Sequence, residues 1–306
     1  MNPRPVPCVR KGMLTLQLGT SKVHALAFSP DSSRLAVAAG RKLAVVDWRA
    51  PGEPVWREPP HGANGYARML TFDPDGVGIV ASYNRWGVYH FGPTISEFRP
   101  RTTFDLLGIT WSPILPAVVV HSGDPRQVIQ LVTDGTYPTR SMLLLLPYAP
   151  GPAAAYLSKG VTKSPLRGLD YRPLTAWTDR HGRLVIWSQR LLRWYPWPPY
   201  GSEAEGHQFR PAPEVSGRVM RPQKLKVLAE CPLPLADAVA PLPDGDTFLV
   251  ALKGVMSRWH APTGTELARW RWPKMQALRS LAVSPDGTVA AVGGNGGRVI
   301  VWDLDV

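Results

Sequence analysis

The 306-residue chain has only two cysteines, Cys8 and Cys231. So sparse a pair builds no disulfide framework, and the expectation is a reducing, cytoplasmic setting. Long apolar runs are missing as well. The longest leucine run, Leu143 to Leu146, falls far short of the roughly 20 residues that span a bilayer, so no membrane segment is expected. Residues 1–12 carry charge and proline but no apolar stretch, so they read as a tail and not as a secretory leader. Acidic side chains are scarce: 23 stand against 35 lysines and arginines, a formal net charge of +12. That balance favours acidic partners, whether protein, nucleic acid or membrane surface, although the excess of arginine and the 33 prolines also fit a compositional bias.

The spacings that carry chemistry are missing too. There is no His-x-His, His-Glu-x-x-His or Cys-x-x-Cys, and no serine sits in a nucleophile elbow. Gly293-Gly-Asn-Gly-Gly297 precedes a strand, whereas the glycines of a phosphate cradle open a helix. His24, His121 and Asp170 come nearest to a metal or acid-base set, but isolated histidines at strand ends more often bond to backbone. No cofactor, metal or catalysis is therefore expected.

What the chain does have is repetition. Leu281-Ala-Val-Ser-Pro-Asp-Gly, Val289-Ala-Ala-Val-Gly-Gly and Arg298-Val-Ile-Val-Trp-Asp303 are three apolar runs too short for helices, separated by turn residues. They read as successive antiparallel strands. Variants of the unit recur around Pro30, Pro74, Pro113, Pro173 and Pro243, ahead of Pro285. Four residues before each proline stand Leu26, Leu70, Ile109, Leu169, Val239 and Leu281; two before stand Phe28, Phe72, Trp111, Tyr171, Pro241 and Val283. The prolines are 44, 39, 60, 70 and 42 residues apart. The regular steps match the roughly 40–45 residues of one propeller blade, and the two long steps place insertions near 147–165 and 194–222.

The Ser-Pro-Asp-Gly turn paired with Trp302-Asp303 at the end of a third strand resembles the WD-repeat (WD40-like) family, in degenerate repeats of the bacterial type. The resemblance implies an all-β fold: a β-propeller of four-stranded antiparallel blades and a single domain over 13–306. Six blades are favoured, with seven the alternative if the insertions hide degenerate strands. The last repeat offers three strands, so Met13 to Leu18, alternating with period two, is expected to close the ring as the fourth strand beside Val299 to Asp303. The family's Gly-His pair is reversed at His61-Gly62, and Asp47-Trp48 inverts the Trp-Asp pair, so the buried polar network of the family is expected to be absent from most blades.

The resemblance also implies a non-catalytic scaffold for protein–protein contacts. The turn between the second and third strands carries Arg41, Arg85, Arg126, Arg180, Lys253 and Arg298, one cation from each repeat. Within the family these turns share a face with those leading into the first strands, where Lys22, Arg68 and Arg279 lie. A basic ring that binds an acidic protein partner is the expectation, weighed against the tendency of any exposed turn to be charged. A second candidate is the aromatic and proline cluster Trp194-Tyr-Pro-Trp197-Pro-Pro-Tyr200, which is either a docking patch or a cap on a blade edge. The alternatives in other classes are a propeller enzyme of the hydrolase or lactonase kind, with its site at the channel mouth, and direct nucleic-acid binding, which is possible but not favoured. The oligomeric state is left open.

Overall fold

A computed structural model describes residues 13–59, 65–73, 75–83, 88–92, 95–98, 111–112, 117–120, 127–134, 141–147, 162–165, 175–179, 181, 183–188, 191–195, 227–233, 235–271 and 277–304. In chain order the strands are β1 (Met13–Gln17), β2 (Val23–Phe28), β3 (Arg34–Ala39), β4 (Lys42–Asp47), β5 (Ala67–Phe72), β6 (Ile79–Tyr83), β7 (Val88–Phe91) and β8 (Ile95–Phe98). Next come β9 (Trp111–Ser112), β10 (Ala117–Val120), β11 (Gln127–Asp134), β12 (Ser141–Pro147), β13 (Thr162–Pro165), β14 (Thr175–Thr178), β15 (Leu184–Ser188) and β16 (Leu191–Tyr195). The last are β17 (Ala229–Pro232), β18 (Ala238–Pro241), β19 (Thr247–Leu252), β20 (Val255–His260), β21 (Thr265–Arg271), β22 (Leu278–Val283), β23 (Val289–Gly294) and β24 (Arg298–Asp303). Among the described residues these form six antiparallel sheets. No described helix is long and apolar enough to cross a membrane.

The chain divides into two compact units, one of residues 1–59, 66–79 and 231–306, the other of residues 60–65 and 80–230. In the first unit, β22, β23 and β24 form a sheet whose outer strand is β1, with Met13 opposite Trp302 and Gln17 opposite Arg298. The strand expected to complete the last repeat does pair there. This sheet packs between two others, β2-β3-β4 and β18-β19-β20-β21. Successive side chains of a strand point to opposite faces, and the central sheet uses both. Val289, Ala291, Val299 and Val301 pack with Leu26, Phe28, Leu35 and Val37 on one side. Ala290, Val292, Ile300 and Trp302 pack with Leu249, Met256 and Trp270 on the other. Burial on both faces is why β23 is an unbroken run of small apolar residues and does not alternate with polar ones.

The Ser-Pro-Asp turns repeat as a hydrogen-bond device. Ser29 and Ser284 are fully buried, and each hydroxyl accepts the amide five residues on, from Arg34 at 2.8 Å and from Val289 at 2.9 Å. Each hydroxyl also donates to the turn carboxylate, Asp31 or Asp286, at 2.5 Å. Where the serine is replaced by Leu242, Asp244 does the same work itself, accepting the Thr247 amide at 2.7 Å. The hydrogen bond from Ser29, then those from Ser33, hold the Asp31 carboxyl down to about 2; that from Ser284 chiefly lowers Asp286. Both folded values lie below the unfolded one, so the associated stability is present above about pH 4 and is lost as pH falls through the folded value, which is about 2 for Asp31. Ser284→Ala leaves the buried Val289 amide unpaired and should cost about 1–3 kcal/mol. Chemical denaturation at pH 7 and pH 3 checks this: the deficit should shrink in acid, and an equal deficit at both values would contradict the coupling.

Two expected features differ. In sequence, Pro54-Val-Trp-Arg57 reads as a fourth strand for the first repeat, but it makes a single bridge, Arg57 to Leu43. Pro51 and Pro54 have no amide to donate and Gly52 adds conformational freedom, so no ladder propagates. In the second unit, the sequence of β12 (Ser-Met-Leu-Leu-Leu-Leu-Pro) reads as an outer strand, yet it pairs with β11 on one side and with β13 on the other. The strand β13 falls within the stretch read as an insertion. Also in this unit, β14, β15 and β16 form a meander, and the buried Asp179 carboxylate takes the His181 and Arg183 amides and the Arg183 Nε at 2.6 Å in the turn after β14. The stretch from Tyr200 to Pro222 lies outside the described residues.

Candidate functional site

In the first unit the opening strands of four repeats, β18, β22, β2 and β5, lie side by side in that order. Their leading ends and the turns between second and third strands meet at one end of the unit. The Gly40 amide in the β3–β4 turn donates to the Lys22 carbonyl at 3.1 Å, and the Lys253 amide in the β19–β20 turn donates to the Asp237 carboxylate at 3.0 Å. These bonds place Arg41 beside the start of β2 and Lys253 beside the start of β18. In the β23–β24 turn, Gln17 Nε2 donates to the Gly296 carbonyl and the Leu18 amide to that of Gly297, which ties the end of β1 next to Arg298. Arg41 and Lys253 are exposed and Arg298 is half-buried.

The richest cluster on this end is one that the turn pattern alone does not reveal. His24 stacks on Tyr66, ring centroids 3.9 Å apart and planes inclined by 19°. The Arg68 guanidinium donates to the Tyr66 hydroxyl at 3.3 Å and lies 5.6 Å from the centre of its ring. Burial first, then the charges of Arg279, Lys22 and Arg68, push the His24 imidazole down to about 4, so it is neutral at pH 7. That field repels a metal ion, which argues against the metal-ligand role weighed for His24. It suits an anion.

Two register shifts explain how the side chains are aimed. The pairing of β2 with β3 slips between Val23 and Ala25, and that of β22 with β23 slips between Leu278 and Ser280. His24 and Arg279 are the residues left over. A bulge bends its strand and re-aims the extra side chain. Both stand six residues before their turn prolines, Pro30 and Pro285, as does Arg68 before Pro74. The sequence already places Lys22, Arg68 and Arg279 on this face; that column of the repeat alignment adds His24 to them.

Of the sequence-derived site residues, Arg41, Lys253 and Arg298 share this end of the first unit. Arg85, Arg126, Arg180 and Trp197 lie outside the described residues. Trp194 is 7% exposed, in the second unit, and its carbonyl accepts the Leu228 amide at 2.7 Å.

Comparison with known proteins fits this architecture. The family model for the WD domain, G-beta repeat, matches residues 273–303, which include β22 to β24. No curated protein matches the chain by sequence. The crystal structure of the β-propeller domain of Cps50 (Swd1) from Myceliophteria thermophila is similar, with a TM-score of 0.55 and 14% identity over 92% of this chain and 82% of that one. With 1199 solved chains matching, the likeness establishes a fold and selects no single activity. The chain has an all-β, β-propeller fold, and its residues 273–303 are similar to a WD repeat.

Proposed function

We propose that the chain is a single six-bladed propeller, closed by β1, that works in the cytoplasm as a non-catalytic platform and binds an acidic protein through its basic face. WD-repeat propellers are in general protein-interaction scaffolds. The observation that carries the finer reading is the convergence of Lys22, Arg41, Arg68, Lys253, Arg279 and Arg298 on the same end of the first unit. Exposed ion pairs are worth only about 0–1 kcal/mol each. Several of one sign acting together raise the local potential and the rate of association.

The test is fluorescence anisotropy with a labelled polyglutamate peptide. The triple variant Arg41→Ser, Lys253→Asn, Arg298→Ser should bind it about tenfold more weakly, taking roughly 0.5 kcal/mol per charge. Each change should shift stability by no more than about 0.5 kcal/mol, since Arg41 and Lys253 are in exposed turns and Arg298 is the partly exposed first residue of β24. Asparagine is chosen at 253 because Lys253 has φ of 46°, a region that asparagine tolerates. Unchanged affinity would remove the turns from the account. Tighter binding of single-stranded nucleic acid than of the peptide, with a steeper salt dependence, would replace a protein partner by a nucleic acid.

A further inference from the structure

We propose that His24, Lys22, Arg68 and Arg279 form a discrete oxyanion site that receives a carboxylate or phosphate group of the acidic partner, with Tyr66 as its aromatic wall. The proposal rests on the reading of the face as basic and partner-binding, and assigns it a centre. Three observations meet there. Two equivalent bulges turn His24 and Arg279 out of their ladders. Tyr66 stacks on the imidazole and accepts a hydrogen bond from Arg68, so the platform and one cation are held in place before any ligand arrives. Among the described residues, three cations and no acidic group act on the imidazole.

Among the described residues, three cations act on His24, and Arg41 stands in the β3–β4 turn beside the start of β2. Lys22 comes from the segment leading into its own strand, Arg68 from β5 and Arg279 from β22. At this end β3 and β23, also packed on β2, present Ala38, Ala39 and Gly293, Gly294, which carry no charge. The acidic residue in the equivalent position of β18, Asp237, accepts the Lys253 amide.

A consequence follows for protons. The three cations help keep the imidazole neutral, and an anion bound among them would cancel that field and add a hydrogen-bond acceptor. Binding would then draw a proton onto His24, and affinity would rise as pH falls toward the raised midpoint. By linkage, an upward shift of one pKa unit means tenfold tighter binding to the protonated form. In the ligand-free chain the depressed value works the other way: stability present above about pH 6.5 is lost as pH falls toward 4. Anion binding should restore part of it.

The test is an NMR titration of the His24 ring in the full chain with inorganic sulfate, which stays a dianion over the range, against chloride at equal ionic strength. The His24 midpoint should rise from about 4 by one unit or more with sulfate and by much less with chloride. The sulfate effect should vanish in Arg68→Gln, Arg279→Gln. His24→Gln should still bind sulfate but lose the pH dependence. If acid unfolds the free chain before its midpoint is reached, the sulfate-bound midpoint near 5 or above is still readable. Equal shifts in sulfate and chloride would mean screening alone and would overturn the site, as would a sulfate shift that survives the double variant. Two peptides of one sequence, bearing glutamate or phosphoserine, then identify the source of the oxyanion, and binding of either that needs Arg68 and Arg279 supports the site. Polyglutamate binding lost in the turn variant but kept in Arg68→Gln, Arg279→Gln would sink this inference while leaving the basic face standing.

Discussion

Removing residues 1–19 should leave a chain that aggregates or melts about 10 °C or more below the intact one. The strand β1 is the outer strand beside β24, paired over five positions from Met13 with Trp302 to Gln17 with Arg298. Leu16 and Leu18 are 3% and 5% exposed and pack against Leu26, Leu35, Val299 and Val301. Burying each is worth about 1.5–3 kcal/mol as an upper estimate. Their joint loss is a large part of a net stability of about 5–15 kcal/mol. Truncation would also strip the cover from β24, exposing a row of unpaired amides and carbonyls on an apolar strand, which is a template for aggregation. A soluble truncated chain with an unchanged melting temperature would show that β1 is dispensable.

Gly297→Ala should cost about 3 kcal/mol, and Gly296→Ala only about 1 kcal/mol. Both glycines sit at positive φ, 70° and 68°, where any other residue pays for its Cβ. The two sites differ in what that carbon meets. At Gly296 it meets open space; at Gly297 it runs into the carbonyl of Gly19, which is backbone and cannot swing aside. The collision falls where the Leu18 amide donates to the Gly297 carbonyl at 2.9 Å, so the substitution pries β1 off the sheet. Urea denaturation of the two variants separates the effects. Equal costs would mean that only backbone strain matters and that the close approach of β1 to this turn carries no energy.

These two expectations differ in how much of them the sequence reveals. Met13 to Leu18 shows itself by period-two alternation, and the need for a partner follows from a last repeat with only three runs. The contact of Gly297 with Gly19 is invisible in sequence because it joins segments far apart through backbone atoms. The Ser-Pro-Asp turns are legible because their chemistry is local, five residues from hydroxyl to amide. Strands β13 (Thr-Lys-Ser-Pro) and β17 (Ala-Glu-Cys-Pro) are not, since neither has an apolar period and three of the four β17 residues are exposed. The site divides in the same way. Cations in turns can be counted from the repeat, but a bulge arises from a mismatch between two paired strands, so the aim of His24 and Arg279 appears only once β2–β3 and β22–β23 are in register. Trp194 illustrates the converse: the sequence shows an aromatic next to prolines, and its burial appears only once its strand is placed.

If like charges gathered on one end of the unit attract an acidic partner, the affinity of the intact chain for polyglutamate depends on salt. The Debye length shrinks from about 30 Å at 0.01 M salt to about 8 Å at 0.15 M. Charges spread over several repeats should therefore lose most of their joint attraction across that range. A steep fall in affinity, shallower in the Arg41→Ser, Lys253→Asn, Arg298→Ser variant, is the predicted result. Affinity that does not change with salt, or a slope that the variant leaves intact, would contradict the account.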